Sequence, residues 1–265
     1  MRRSTARMRR QAIVDALCAL VGSGGLGIVL VQFGKASSWG SFAAVASGLT
    51  LVSVAVLIVV RRNPLFSTLA DRVTLSRAVL GGGCTTVVVL AALGTAPHRS
   101  WWLVVMAAPA VLLDAVDGWV ARRTGTASVQ GSRLDMETDA ALMLVLCVPL
   151  AFTLGPWVLA IGMLRYVFVV ASWWRPALRG QLEFSQFRRV VAAIQAVVLV
   201  AALVPLVPEA AARVIVALSL TLLATSFARD VITLERGHRS RGTTPAAPGA
   251  AAGGAAARST EAAGR

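Results

Sequence analysis

The apolar residues of this chain come in eight long blocks, and that arrangement limits its possible folds more than any other feature. The blocks lie near residues 12–33, 41–60, 73–94, 101–121, 136–154, 157–174, 190–207 and 210–229. A helix needs roughly 20 apolar residues to cross the hydrocarbon core of a bilayer, and these blocks are about that long. Backbone N–H and C=O groups in lipid must pair internally, so only helices and closed barrels can span. A barrel would need short strands of alternating polarity, and none is visible. The expected fold is an all-α polytopic membrane protein with about eight spans. A composition of 57% hydrophobic and 14% charged residues agrees, because the apolar share exceeds that of ordinary soluble domains.

A net charge of +14 would suit a nucleic-acid binder, but its distribution argues against one. With eight spans, Lys35, Arg99 and Arg213 fall on the side away from the N-terminus and Arg165 lies inside a span. The rest of the 26 Lys and Arg share the N-terminal side. This positive-inside bias predicts a cytoplasmic (inner) membrane protein with both termini in the cytoplasm. The basic face should attract anionic head groups, so membrane lipids are expected partners and nucleic acid is not.

The opening MRRSTARMRR and the apolar run behind it look like the front of a signal peptide. The run is longer than a signal core and shows no small-residue cleavage site, so a retained helix is expected. The chain then divides into a basic cytoplasmic N-terminus (1–11), an accessory two-helix hairpin (12–62), a six-span domain (63–236) and an Ala-, Gly- and Pro-rich tail (237–265). The tail lacks the apolar content for a core and is expected to be a disordered cytoplasmic segment. Gly155 and Pro156 predict a tight turn between spans. Cys18, Cys84 and Cys147 read as small buried hydrophobes, without disulfide or zinc spacing. Glycines at 22–27 and 81–83 suit close helix approach, and the second group could also leave room for a ligand. His98 is expected to be solvated in a loop.

Charge inside a membrane bundle is costly, so intramembrane acids read as functional by default. Asp114, Asp117, Gly118, Ala121, Arg122, Gly131, Asp135 and Asp139 form the pattern D-x2-D-G-x2-A-R-x8-G-x3-D-x3-D. Asp114, Asp117, Gly118 and Ala121 lie at i, i+3, i+4 and i+7, on one face of a helix. Asp135 and Asp139 are at i and i+4, and Gly125 and Gly131 predict a turn between the two helices. Two antiparallel helices would then bring four carboxylates together. Such anions repel unless a cation intervenes. Oxygen ligands without His or Cys favour Mg²⁺ or Mn²⁺ over Zn²⁺, and paired acids suit two ions. Arg122 can hold a phosphate bidentately. Gly118 and Ala121 clear space beside it, so a diphosphate substrate fits the pattern. Arg165 lies in an apolar run and should face a cavity or a partner. It could line an acceptor site with Arg175, Arg179 and Arg188 if the acceptor carries a phosphate.

The eight positions resemble the signature of the CDP-alcohol phosphatidyltransferases at every interval. Asp71, Thr74 and Arg77 resemble that family's (Asn/Asp)-x2-Thr-x2-Arg element at the start of its first core helix. The resemblance covers about Asp71 to Arg229 and implies a six-helix catalytic core, to which this chain adds two N-terminal spans. It implies that Asp114, Asp117, Asp135 and Asp139 hold the metals, with Asp139 also general base on the acceptor hydroxyl. Gly118, Ala121 and Gly131 would line the nucleotide site, Arg122 would contact the diphosphate, and Asp71 and Thr74 would seat the cytidine end. The implied reaction transfers a phosphatidyl group from CDP-diacylglycerol or a related CDP-lipid to an alcohol, releasing CMP, in phospholipid biosynthesis. A homodimer is a further expectation from the family. Two other readings use the same acids. One is an ion transporter, which would place them nearer mid-membrane on broken helices. The other is a non-catalytic family member acting as a membrane scaffold.

Overall fold

A computed structural model describes residues 2–34, 36–61, 69–124, 129–174 and 186–242. They form α1 (Arg2–Gln32), α2 (Ser38–Val60), α3 (Leu69–Ala92), α4 (Trp101–Thr124), α5 (Val129–Leu154), α6 (Leu159–Trp174), α7 (Gln186–Leu203) and α8 (Glu209–Gly242). A short 3-10 turn (Pro156–Val158) leads into α6, and there is no strand among the described residues. The chain is an all-α polytopic membrane protein. Among the described residues, five helices are long and apolar enough to cross a bilayer by length and composition, while the apolar stretches Trp101–Leu113 and Val190–Leu203 are shorter.

Each apolar block falls largely within one helix. The helices run beyond the blocks where the sequence turns polar. Thus α1 starts at Arg2, α4 continues to Thr124 and α5 starts at Val129. Hydropathy marks only the lipid-embedded part of a helix, whereas backbone hydrogen bonding continues into water. Gly131 is therefore helical, inside the first turn of α5, and is not part of the expected turn. Gly125 lies outside the described residues, as do positions 243–265 of the expected tail.

Local chemistry sets the helix ends. Ser37 caps α2, its hydroxyl accepting from the Gly40 N–H at 3.2 Å. α3 ends at Gly94, whose φ of 71° suits glycine, and the Thr95 N–H closes the end on the Leu90 carbonyl at 3.0 Å. The turn expected at Gly155 is present, with φ 118° ahead of Pro156. Arg99, in the α3–α4 loop, closes the far end of α7. Its guanidinium donates to the carbonyls of Ala202 (2.8 Å), Val204 (2.7 Å) and Val207 (2.6 Å).

α3 is the axis of the bundle. Its candidate span is 67% buried, against 28–44% for the other four. α1 and α2 pack on it from one side, and α4 and α5 also pack on it. Two apolar clusters meet along it. Leu75 and Ala78 join Ala16, Ala19, Val52 and Val56 of the N-terminal hairpin. Cys84, Val87 and Val88 join Leu103 and Ala107 of α4, Leu146 and Leu150 of α5 and Leu199 of α7. Lipid tails are as apolar as these side chains, so close backbone approach and interhelical hydrogen bonds must supply the packing energy. A Cβ on Gly48 would stand 2.6 Å from the Gly82 carbonyl oxygen, and one on Gly83 would meet Leu26 and Met106 at 2.8 Å. Between α7 and α8, the Ser219 hydroxyl donates to the Gln195 side-chain oxygen at 3.1 Å, and the Gln195 amide donates to the Ser219 carbonyl.

Several expectations need correction. Gly82 and Gly83 are filled by helix contacts, so they leave no room for a ligand. A Cβ on Gly22 or Gly25 would meet nothing within 4 Å, so close packing does not explain those two. Cys84 and Cys147 are buried, but Cys18 is exposed on α1. His98 is partly buried, stacked on Phe152 with ring centroids 4.7 Å apart and an interplanar angle of 12°.

Candidate active site

The site starts from one helix face. Asp71, Thr74 and Arg77 follow one another at three-residue intervals in the first three turns of α3, so they form a stripe. All three are buried, at 3%, 4% and 1% exposure. A fully buried guanidinium requires partners, because desolvating an unpaired charge costs several kcal/mol. Arg77 Nε donates to the carbonyl of Ala110 on α4 at 3.2 Å. Its Nη2 pairs with Oδ1 of Asp139 on α5. One side chain thus joins α3, α4 and α5. The pair is asymmetric, since the Asp139 side chain is 36% exposed while that of Arg77 is 1% exposed. Asp139 therefore reaches open space while anchored from behind.

Sequence reasoning left Arg77 without a role. Its signal was present in the element Asp71-x2-Thr74-x2-Arg77, but its partner lies 62 positions away and no local spacing points to it. Glu137 is exposed, about 200° around α5 from Asp139. Asp15 of α1 accepts from Arg72 Nε at 2.9 Å, which ties the N-terminal hairpin to α3 beside Asp71.

The structure places the remaining expected residues through the backbone of their helices. Asp114, Asp117, Gly118, Ala121 and Arg122 occupy the last three turns of α4, and Gly131 and Asp135 the first two turns of α5. Ala110, which Arg77 engages, stands one turn before Asp114. The side chains of these seven residues lie outside the described residues, as does that of Arg165 on α6. Arg188 belongs to the first turn of α7, its side chain also outside the described residues, and Arg175 and Arg179 lie outside them altogether. What the described atoms bring together is Arg77 with Asp139. Thr74 and Asp71 lie one and two turns along α3 from Arg77.

A protein-family model, CDP-alcohol phosphatidyltransferase, matches residues 67–225, more than half of the chain. The chain belongs to this family. Comparisons with curated proteins and with solved structures found no match. Members of the family are membrane transferases of substituted phosphate groups, using CDP-alcohol donors and alcohol acceptors, and are generally dependent on divalent metal. The matched region begins just before α3, so α1 and α2 fall outside it. The donor set here fits such a metal in its chemistry: four aspartates without a histidine or cysteine, spaced by single helical turns on described helical backbone.

Proposed function

We propose that this chain transfers a phosphatidyl group from a CDP-linked lipid, CDP-diacylglycerol by family likeness, to an alcohol acceptor, releasing CMP in phospholipid biosynthesis. The observation that carries the reading is the Arg77–Asp139 pair. It joins two sequence elements 62 residues apart, each of which resembles the family on its own terms.

Asp114, Asp117, Asp135 and Asp139 are the residues that would hold Mg²⁺ or Mn²⁺, in two sites. When bound, the ions offset the charge of the donor's diphosphate and of the departing CMP. Asp71 and Thr74 seat the cytidine end. Arg122 holds the diphosphate, and Gly118, Ala121 and Gly131 leave it space. Asp139 accepts the proton of the acceptor hydroxyl. The freed oxygen forms a bond to the phosphorus bearing the lipid, the bond from that phosphorus to the bridging oxygen breaks, and CMP leaves with the electron pair. If the acceptor carries a phosphate, Arg165, Arg175, Arg179 and Arg188 are the cations to bind it.

The positive-inside bias supports an active site and both termini facing the cytoplasm. The division into an accessory hairpin (12–62) and a catalytic domain (63–236) follows the family match on one side. The Asp15–Arg72 contact nonetheless makes the hairpin a direct neighbour of α3.

Turnover by the purified full chain tests the proposal. With CDP-diacylglycerol, Mg²⁺ or Mn²⁺ and a panel of alcohols, CMP should appear only when donor, metal and an acceptor are all present. Absence of CMP release with every donor and acceptor pair would remove the reading. Ion flux in nucleotide-free proteoliposomes would point to a transporter instead.

A further inference from the structure

We infer that Arg77 is the positioning residue of the reaction, holding Asp139 at one carboxylate oxygen so that the other is left to take the acceptor's proton. This rests on the proposed function, because it gives a supporting partner to the base named there.

Three observations lead to it. First, Arg77 is the largest fully buried side chain in the described molecule, and it lies on the most buried span. A cation placed so deep is kept for what it holds, since apolar packing of similar volume would cost less. Second, its guanidinium is fixed from two directions. Nε is held by the Ala110 carbonyl on α4, and Nη2 engages Oδ1 of Asp139 on α5. A planar donor fork anchored at one edge sets the direction of the other, which an ammonium group cannot do. Third, the anchor falls one helical turn before Asp114. The same side chain therefore sets the height of the α4 acids and the α5 acids against α3. Asp139 is itself partly open, so Arg77 determines its orientation without closing it off. With Oδ1 engaged, proton acceptance falls to Oδ2.

The role predicts a particular pattern of loss. Arg77→Met keeps the bulk of the side chain and removes the contacts to Ala110 and Asp139. It leaves behind an aspartate that water can reach, so the fold should survive. Misplacing a reacting group by about 1 Å can cost roughly 100-fold in rate, and that is the expected fall in kcat. KM for the CDP-lipid should change by less than about 3-fold, because an interaction felt only in the transition state lowers kcat alone. Arg77→Lys keeps the charge and can reach one partner at a time, so it should recover part of the loss.

The experiment measures kcat, KM and thermal midpoint for wild type, Arg77→Met and Arg77→Lys as full chains in detergent, with CDP-diacylglycerol and the best acceptor. Support requires a folded Met variant with low kcat and near-normal KM, and a Lys variant between it and wild type. Wild-type kcat in a folded Met variant would overturn the inference. So would a loss carried wholly by KM, or one matched by the unfolded fraction. If neither variant folds, the role is structural and the inference is also overturned. A wild type that releases no CMP removes the proposed function instead, so the two failures are distinguishable.

Discussion

Two arginines at opposite ends of the bundle make different use of the same chemistry. Arg99 meets the carbonyls of Ala202, Val204 and Val207, at the end of α7 and in the turn that follows it. Positive charge is favoured at a helix C-terminus, and every group it touches is backbone. Arg77 shares itself between a carbonyl and a carboxylate, on the span with the greatest burial. An arginine satisfied by carbonyls alone closes a fold. One that also fixes a partly exposed acid is placed to serve the proposed site. Arg99 is also one of the three cations that the sequence pattern sets on the side away from the N-terminus, and the carbonyls it meets give that charge partners.

The comparison can be broken by mutation, and the largest effect should come at the site. Asp139→Asn keeps an oxygen for Arg77 and removes the proposed base, so kcat per folded molecule should fall by about 10²–10⁴, read as CMP release. Arg77→Met should follow at about 100-fold, as argued above. Arg99→Met should reverse the pattern. It strips hydrogen bonds from a charged donor and should lower stability by about 2 kcal/mol, seen as a lower thermal midpoint. Its kcat per folded molecule should stay at the wild-type value, and a catalytic defect there would erase the distinction between the two arginines. Gln195→Leu should have the smallest effect. It breaks a neutral pair with Ser219 inside the membrane, worth about 0.6 kcal/mol on average, with no change in turnover.

The helices were legible because the bilayer enforces a length of apolar sequence and each block falls largely in one helix, although only five of the described helices are long and apolar enough to cross. The helical spacing of the acids was legible, and α4 and α5 are helical through all of them, while of their four side chains only that of Asp139 is among the described residues. What escaped had a common cause in long-range contact. Arg77 was visible as part of a short element, but its burial depends on helices that arrive later in the chain. Glycine composition alone could not separate Gly82, pressed against α2, from Gly22, which faces nothing. Cys18 was expected to be buried because its block is apolar, yet the outer face of a membrane helix is as apolar as its inner face. Gly131 was assigned to a turn by residue type, whereas α5 begins two residues earlier and carries it in its first turn.

The account stands most directly on CMP released from CDP-diacylglycerol by the purified full chain and by its Asp139→Asn variant, at equal amounts of folded protein with Mg²⁺ and a competent acceptor. It predicts steady release by the first and a rate at least about 100-fold lower for the second. Equal rates would contradict it, because the carboxylate that Arg77 holds would then have no part in the chemistry.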